Sequence, residues 1–188
     1  MAEMDSLEEK TLHTEKIFSG NIIELQVDDV ELPNGEKGKR EIVKHPGGVA
    51  IIPFSADGRM YLVEQFRKPL EKNIIEIPAG KMEPGEDPLV TAKRELEEET
   101  GFQSDDLTYL TSFYTSPGFA SELLYIYVAR DLRKMEHPLA QDADEFINLV
   151  KVTLEEAEQL IAQQCIHDAK TMYAIQYWKM QLLIEENE

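Results

Sequence analysis

The chain is 188 residues long with 42% hydrophobic and 30% charged residues, the composition of one globular domain or a domain with a small appendage. Its formal charge of −18 excludes nucleic-acid polymers and acidic membrane surfaces as partners, which demand a basic patch, and no apolar run reaches the ~18 residues of a membrane span. The acidic start MAEMDSLEEK is no signal peptide, and the lone Cys165 forms no intrachain disulfide, so a helix-packed thiol and a cytoplasmic location are expected.

Taken in chain order, residues 11–43 read as a hairpin-like β unit: a strand over IIELQVDDVEL, a turn at Pro33-Asn34-Gly35, and a returning strand from Lys39 to Val43. Two or three strands bury little by themselves and need a partner surface. The domain boundary is placed after residue 43. Val49 to Phe54 is a continuous apolar run, followed by an Asp57-Gly58 turn and the strand MYLVEQF, which predicts a second hairpin. Ile74 to Pro78 reads as a further strand and Pro84-Gly85 as a turn.

A helix of roughly three to four turns is expected next. Asp87 can cap its first amides, Pro88 suits the first helical position, and Gly101 can adopt the left-handed conformation that stops it. Leu89, Ala92 and Leu96 lie on a core-facing side, while Glu95 and Glu99 share another. Glu95, Glu97, Glu98 and Glu99 crowd the C-terminal half, where like charges four apart repel and the helix dipole disfavours anions. A solvated charged face is one reading; a hard divalent cation such as Mg²⁺ or Mn²⁺, held by carboxylates and substrate phosphates, is the other.

Beyond the helix, TYLTSFYTSPGF and ELLYIYVAR read as strands separated by Ser116-Pro117-Gly118. An acidic segment holding Asp142, Asp144 and Glu145 precedes the strand FINLVKV. Thr153 and Glu156 form a capping box for a helix to about Gln164, and Asp168 caps another to about Ile184. Leu154, Ala157, Leu160 and Ile161, then Met172, Ile175, Trp178 and Leu182, read as core stripes. His13, His45, His137 and His167 lack metal-ligand spacing.

Gly80, Glu86, Arg94-Glu95-Leu96, Glu98-Glu99 and Gly101-Phe102 match every fixed position of the Nudix box, GX5EX7REUXEEXGU with U bulky and apolar. The chain therefore resembles the Nudix hydrolases. Pro117, sixteen residues beyond Gly101, is in itself a turn residue, but its spacing resembles that of the ADP-ribose pyrophosphatase subgroup.

The resemblance implies an α/β fold, a Nudix-type α/β/α sandwich with a mixed sheet, preceded by a small antiparallel β unit over 1–43 that pairs two subunits into a homodimer. It implies Mg²⁺-dependent (or Mn²⁺-dependent) hydrolysis of ADP-ribose to AMP and ribose 5-phosphate, with two or three ions. Glu95, Glu99, the carbonyl of Ala79 and Glu145 would be metal ligands. Glu145 is the candidate general base, Glu95 the fallback, and Glu98 an additional metal or supporting carboxylate oriented, like Glu86, by Arg94. Arg40, Glu41, Arg67 and Ser116 would bind substrate, although Arg40 and Glu41 read equally as a solvated strand edge and Arg67 as a surface residue. Where some relatives show Glu-x-Glu, this sequence has Ala143-Asp144-Glu145. Other nucleotide sugars or dinucleotides are an alternative substrate class, and a non-catalytic metabolite sensor is a further one.

Overall fold

A computed structural model describes residues 7–141, 145–185 and 187. They fall into two compact units: one takes in the residues up to Gly47 together with Tyr114–Leu123, the other Gly48–Phe113 and the chain from Leu124 onward.

The first unit is a three-stranded antiparallel sheet, β1 (Lys10–Ser19), β2 (Glu24–Glu31) and β3 (Lys37–Lys44), in the order β1-β2-β3. Gly35 closes the β2–β3 turn at φ 83°, a left-handed conformation that favours glycine, and its N–H donates to the Leu32 carbonyl. The sequence reading missed β1 as a separate strand. Its ten residues are all exposed, so the hydrophobic alternation that marks a half-buried strand is absent. The 114–123 segment is tied to β3: Val43 donates to the Phe119 carbonyl, Ser121 donates back to Val43, and the His45 N–H donates to the Ser121 hydroxyl.

The second unit runs β4 (Gly48–Pro53), β5 (Met60–Arg67), a 3-10 turn (Lys68–Leu70), β6 (Lys72–Glu76), β7 (Ala79–Lys81), α1 (Pro88–Thr100), β8 (Phe102–Gln103) and β9 (Asp106–Tyr114). It continues with β10 (Leu123–Arg130), β11 (Arg133–Lys134), β12 (Ile147–Val152), α2 (Leu154–Ala162) and α3 (Ala169–Glu185). One sheet has the order β7-β4-β10-β9, with β4 parallel to β10 and antiparallel to β7. A second, antiparallel sheet has the order β12-β5-β6, and β8 pairs β11.

Both faces of β4 are buried, as expected for a continuous apolar run in a parallel pair. Val49 and Ile51 pack with Ala92 and Leu96 of α1 and with Tyr127 and Ala129 of β10. Ala50 and Ile52 face the opposite core, with Ile126 and Val128 of β10, Ala157 of α2, and Ala174, Ile175 and Trp178 of α3. Alternation along one strand thus places α1 on one side of a mixed sheet and α2 and α3 on the other, which is the expected α/β/α sandwich.

Three local expectations are corrected. The predicted β4–β5 hairpin does not form: Ser55 donates to the Arg59 carbonyl across the turn, but only Phe54 and Met60 bridge beyond it. Both edges of β4 are taken by β7 and β10, and both edges of β5 by β6 and β12, so neither strand has an edge for the other. On α3 the buried residues are Thr171, Ala174, Ile175 and Trp178, whereas Leu182 in the final turns is 37% exposed. Cys165 stands in the turn between α2 and α3, not in a helix, and its carbonyl accepts from the Ile75 N–H.

Candidate active site

The frame of the site is α1, and its ends form as the sequence dictates. The Asp87 carboxylate accepts from the Leu89 N–H at 2.8 Å, Pro88 opens the helix, and Gly101 ends it at φ 72° with its N–H on the Glu97 carbonyl. Burial of Ala92 and Leu96 against β4 fixes the rotation of the helix and carries Glu95 and Glu99 into the interior at 6% and 4% exposure. Two carboxylates at that depth cost several kcal/mol each unless a counter-charge reaches them.

The strand β7 supplies the wall facing them. The Ala79 N–H donates to Glu99 Oε2 at 2.9 Å, and the Glu95 carboxyl lies directly against Gly80. Burial pushes Glu99 up to about 8; the Ala79 N–H opposes this, while the charges of Glu95 and Glu145 add to it. Burial likewise pushes Glu95 up to about 7 against the pull of Arg94, with Glu98 and Glu145 adding to the rise.

Arg94 gathers the other carboxylates of the box. Its Nη1 donates to Glu95 at 2.7 Å and to Glu98 at 2.8 Å; its Nη2 donates to Glu86 at 3.4 Å and to the Lys81 carbonyl at 3.3 Å. Glu145 is half-buried, and its charge adds to the rise of both metal-ligand candidates. Asp142, Ala143 and Asp144 lie outside the described residues.

The donor set suits a hard divalent cation. Glu95 and Glu99 are oxygen donors held on one rigid helix, destabilised by each other's charge, and a bound cation would relieve that repulsion. Among the described residues no three His, Cys, Asp or Glu side chains already converge as a metal cluster, and Mg²⁺ is commonly completed by waters and substrate phosphates beside one or two carboxylates.

Residues 44–174 match the NUDIX domain, and residues 9–43 match the nucleoside diphosphate sugar hydrolase N-terminal domain. The chain belongs to the Nudix hydrolase family. It is 57% identical over 174 residues to a methanol dehydrogenase activator of Bacillus methanolicus, covering 93% of this chain and 94% of the relative. It is 55% identical over 177 residues to an ADP-ribose pyrophosphatase of Bacillus subtilis, covering 94% and 96%. A crystal structure of an ADP compounds hydrolase superposes with a TM-score of 0.82 at 25% identity, covering 97% of this chain and 98% of that one. Nudix hydrolases generally need a divalent metal, in keeping with the carboxylates of α1.

Of the residues expected to bind substrate, Arg67 belongs to the same unit of this Nudix hydrolase as α1. Its Nε donates to Glu76 at 2.5 Å, and its charge acts on Glu99. Arg40, Glu41 and Ser116 belong to the other unit. There Arg40 and Glu41 line an open cavity of about 510 Å³ together with Tyr114, Pro117 and Phe119. Arg40 is forked onto Glu9, Nε to Oε2 at 2.7 Å and Nη2 to Oε1 at 2.5 Å, so it is not a bare strand-edge charge. Ser116 uses its carbonyl to accept from Phe119 and Ala120.

Sequence reasoning missed Glu76 and Glu97. Glu76 is 3% exposed and shares strand parity with buried Ile74, a signal that NIIE carries on its face. Glu97, 8% exposed at an unspecified position of the box, accepts from the Leu139 N–H at 3.1 Å and from the Gln103 side chain at 2.7 Å. It ties the segment that leads towards Glu145 to the back of α1.

Proposed function

We propose that this chain hydrolyses ADP-ribose to AMP and ribose 5-phosphate. The observation that carries the reading is the pair of buried carboxylates, Glu95 and Glu99, set against β7 with Arg67 close enough to act on Glu99. The Bacillus subtilis relative, named ADP-ribose pyrophosphatase, supports the choice of substrate.

Glu95, Glu99 and the Ala79 carbonyl, with Glu145, would hold Mg²⁺ or Mn²⁺, two or three ions in all. When bound, such ions neutralise the diphosphate and lower the pKa of a bound water. Arg94 keeps Glu95 and Glu98 in fixed orientations through charge-assisted hydrogen bonds. Arg67 offers its terminal nitrogens to the diphosphate oxygens, and Glu145 takes the proton of the attacking water. The water oxygen bonds to one phosphorus while the anhydride P–O bond breaks, and the bridging oxygen leaves with the other phosphate. Arg40, Glu41 and Ser116 of the first unit are further candidates for binding substrate. Residues 1–43 form a dimerisation unit, 44–188 the hydrolase domain, and the protein works as a cytoplasmic homodimer. The exposed Leu12, Ile17 and Phe18 of β1 suit such a contact.

Two other readings have a specific observation behind them. Relatives in Yersinia, 31% identical over 147 residues, are named GDP-mannose pyrophosphatase, which favours other nucleotide sugars. The Bacillus methanolicus relative favours activation of a methanol dehydrogenase. A panel of ADP-ribose, GDP-mannose and dinucleotides with Mg²⁺, its products resolved chromatographically, tests the assignment. ADP-ribose should give the highest kcat/KM, with AMP as a product; a higher value for GDP-mannose, or no turnover at all, overturns it. A methanol dehydrogenase assay with and without the chain tests the second alternative, and sedimentation tests the dimer.

A further inference from the structure

Outside the box helix, the second unit holds one densely ionic interior cluster. Glu76, on β6, is nearly inaccessible, and a lone carboxylate there would be strongly unfavourable. It has two cationic partners: Arg67 Nε at 2.5 Å and the Lys170 ammonium. Lys170 also reaches Asp168 Oδ1 at 2.9 Å, and the same Oδ1 caps α3 by accepting from the Thr171 N–H at 3.2 Å. Thr171 in turn accepts from the Ile77 N–H at 3.0 Å through its hydroxyl. The start of α3 is thus bolted to the end of β6, and Lys170 has little freedom.

The pairing register shows what this does to Arg67. Glu76 stands opposite Val63, and Arg67 lies four residues further along β5, so both side chains occupy the same face of the sheet. The bond to Glu76 draws the arginine back along β5, where an unbound arginine at a strand end would extend into water. It uses Nε alone. Among the described residues Nη1 and Nη2 have no partner, leaving the two-pronged end of the guanidinium for an acceptor with paired oxygens.

We propose that Glu76, backed by Lys170, is a positioning residue that presents the free fork of Arg67 to an anionic ligand, which on the reading above is the substrate diphosphate. Glu76 touches no substrate; it acts through Arg67. Lys170 holds Glu76 in place, so that one carboxylate oxygen stays with α3 while the other stays with Arg67.

The test is a double-mutant cycle of Arg67→Ala, Glu76→Gln and their combination, with Lys170→Met alongside. KM and kcat for ADP-ribose, the melting temperature and the thermal shift produced by inorganic pyrophosphate with Mg²⁺ are measured for each. Arg67→Ala and Glu76→Gln should each raise KM about tenfold or more with a smaller change in kcat, and the double variant should match Arg67→Ala alone. Lys170→Met should fall between wild type and Glu76→Gln. Should Glu76→Gln not fold, Glu76→Asp keeps the charge but withdraws the carboxylate from Arg67, and the same cycle is run with it.

A lowered melting temperature with unchanged KM would make Glu76 a structural ion pair and nothing more, overturning the proposal while leaving the function intact. Additive effects in the double variant would overturn it as well, because Glu76 would then act elsewhere. If the wild type does not hydrolyse ADP-ribose, the functional reading fails, and the pyrophosphate shift alone decides the role of Glu76. Loss of that shift in both single variants upholds the positioning role; its survival in either refutes it.

Discussion

The carboxyl of Glu95 occupies the space in which any other residue at position 80 would carry its β-carbon. A methyl group on Gly80 would stand within 3.0 Å of all three carboxyl atoms, closer than real side chains approach. What would have to move is the end of a side chain, so Gly80→Ala should fold with a melting temperature within a few degrees of wild type while Glu95 is displaced. Misplacing a reacting group by about 1 Å costs on the order of 10²-fold in rate. Steady-state kinetics beside a melting curve checks this, and a fully active Gly80→Ala would show that the position of Glu95 is unimportant.

Metal-free protein should lose stability as pH rises. Glu95 and Glu99 sit at about 7 and about 8 when folded against an ordinary 4.5, so between those values the folded state binds more protons than the unfolded state. Their contribution is fully present below about pH 4.5 and is lost as pH climbs through 7 and 8. In chelator, the melting temperature should drop by roughly 5 °C or more from pH 5.5 to 8.5, and Mg²⁺ should restore it. A flat profile in chelator would contradict the burial of these carboxylates.

Glu99→Gln separates charge from shape. The amide fills the same space and can still accept from the Ala79 N–H through its oxygen, so the fold should persist and the pH dependence in chelator should flatten. Turnover should drop by about 10²-fold or more, as for other electrostatic elements of a site. Near-normal turnover in a folded variant is the outcome that removes Glu99 from the metal ligands.

Glu145→Gln should lower kcat with little change in KM, and the deficit should shrink in alkaline buffer, where hydroxide replaces the missing base. If added Mn²⁺ or Mg²⁺ repairs the defect and pH does not, Glu145 is a ligand and not the base. Glu97→Ala frees the Leu139 amide and should also depress kcat, yet add nothing in a Glu145→Gln background. An additive double variant would mean that Glu97 supports α1 itself.

The ends of α1 were legible because each is set by one residue with one physical role: Asp87 as acceptor, Pro88 without an N–H to satisfy, Gly101 in a left-handed conformation. The box likewise gave Glu95 and Glu99 a shared helix side. Pairing between β4 and β5 was misread because a tight turn is a local signal, while the edges it needs are allotted by strands as distant as β10 and β12. Glu76 and Glu97 went unseen for a related reason. A carboxylate reads as a surface group until its partners, Lys170 from α3 and the Leu139 amide, arrive from elsewhere in the chain.

The two-faced burial of β4 makes position parity an engineering handle. Ile51 bears on α1, and Ile52, its neighbour, on the layer of α2 and α3. Removing one methyl from either should cost a similar ~0.5–1.5 kcal/mol of stability. Only Ile51→Val loosens the floor beneath Glu95 and Glu99, so it should change kcat, whereas Ile52→Val should register in the melting temperature alone. Libraries restricted to 49 and 51 would then tune turnover, those at 50 and 52 would tune robustness, and the two could be optimised separately and combined.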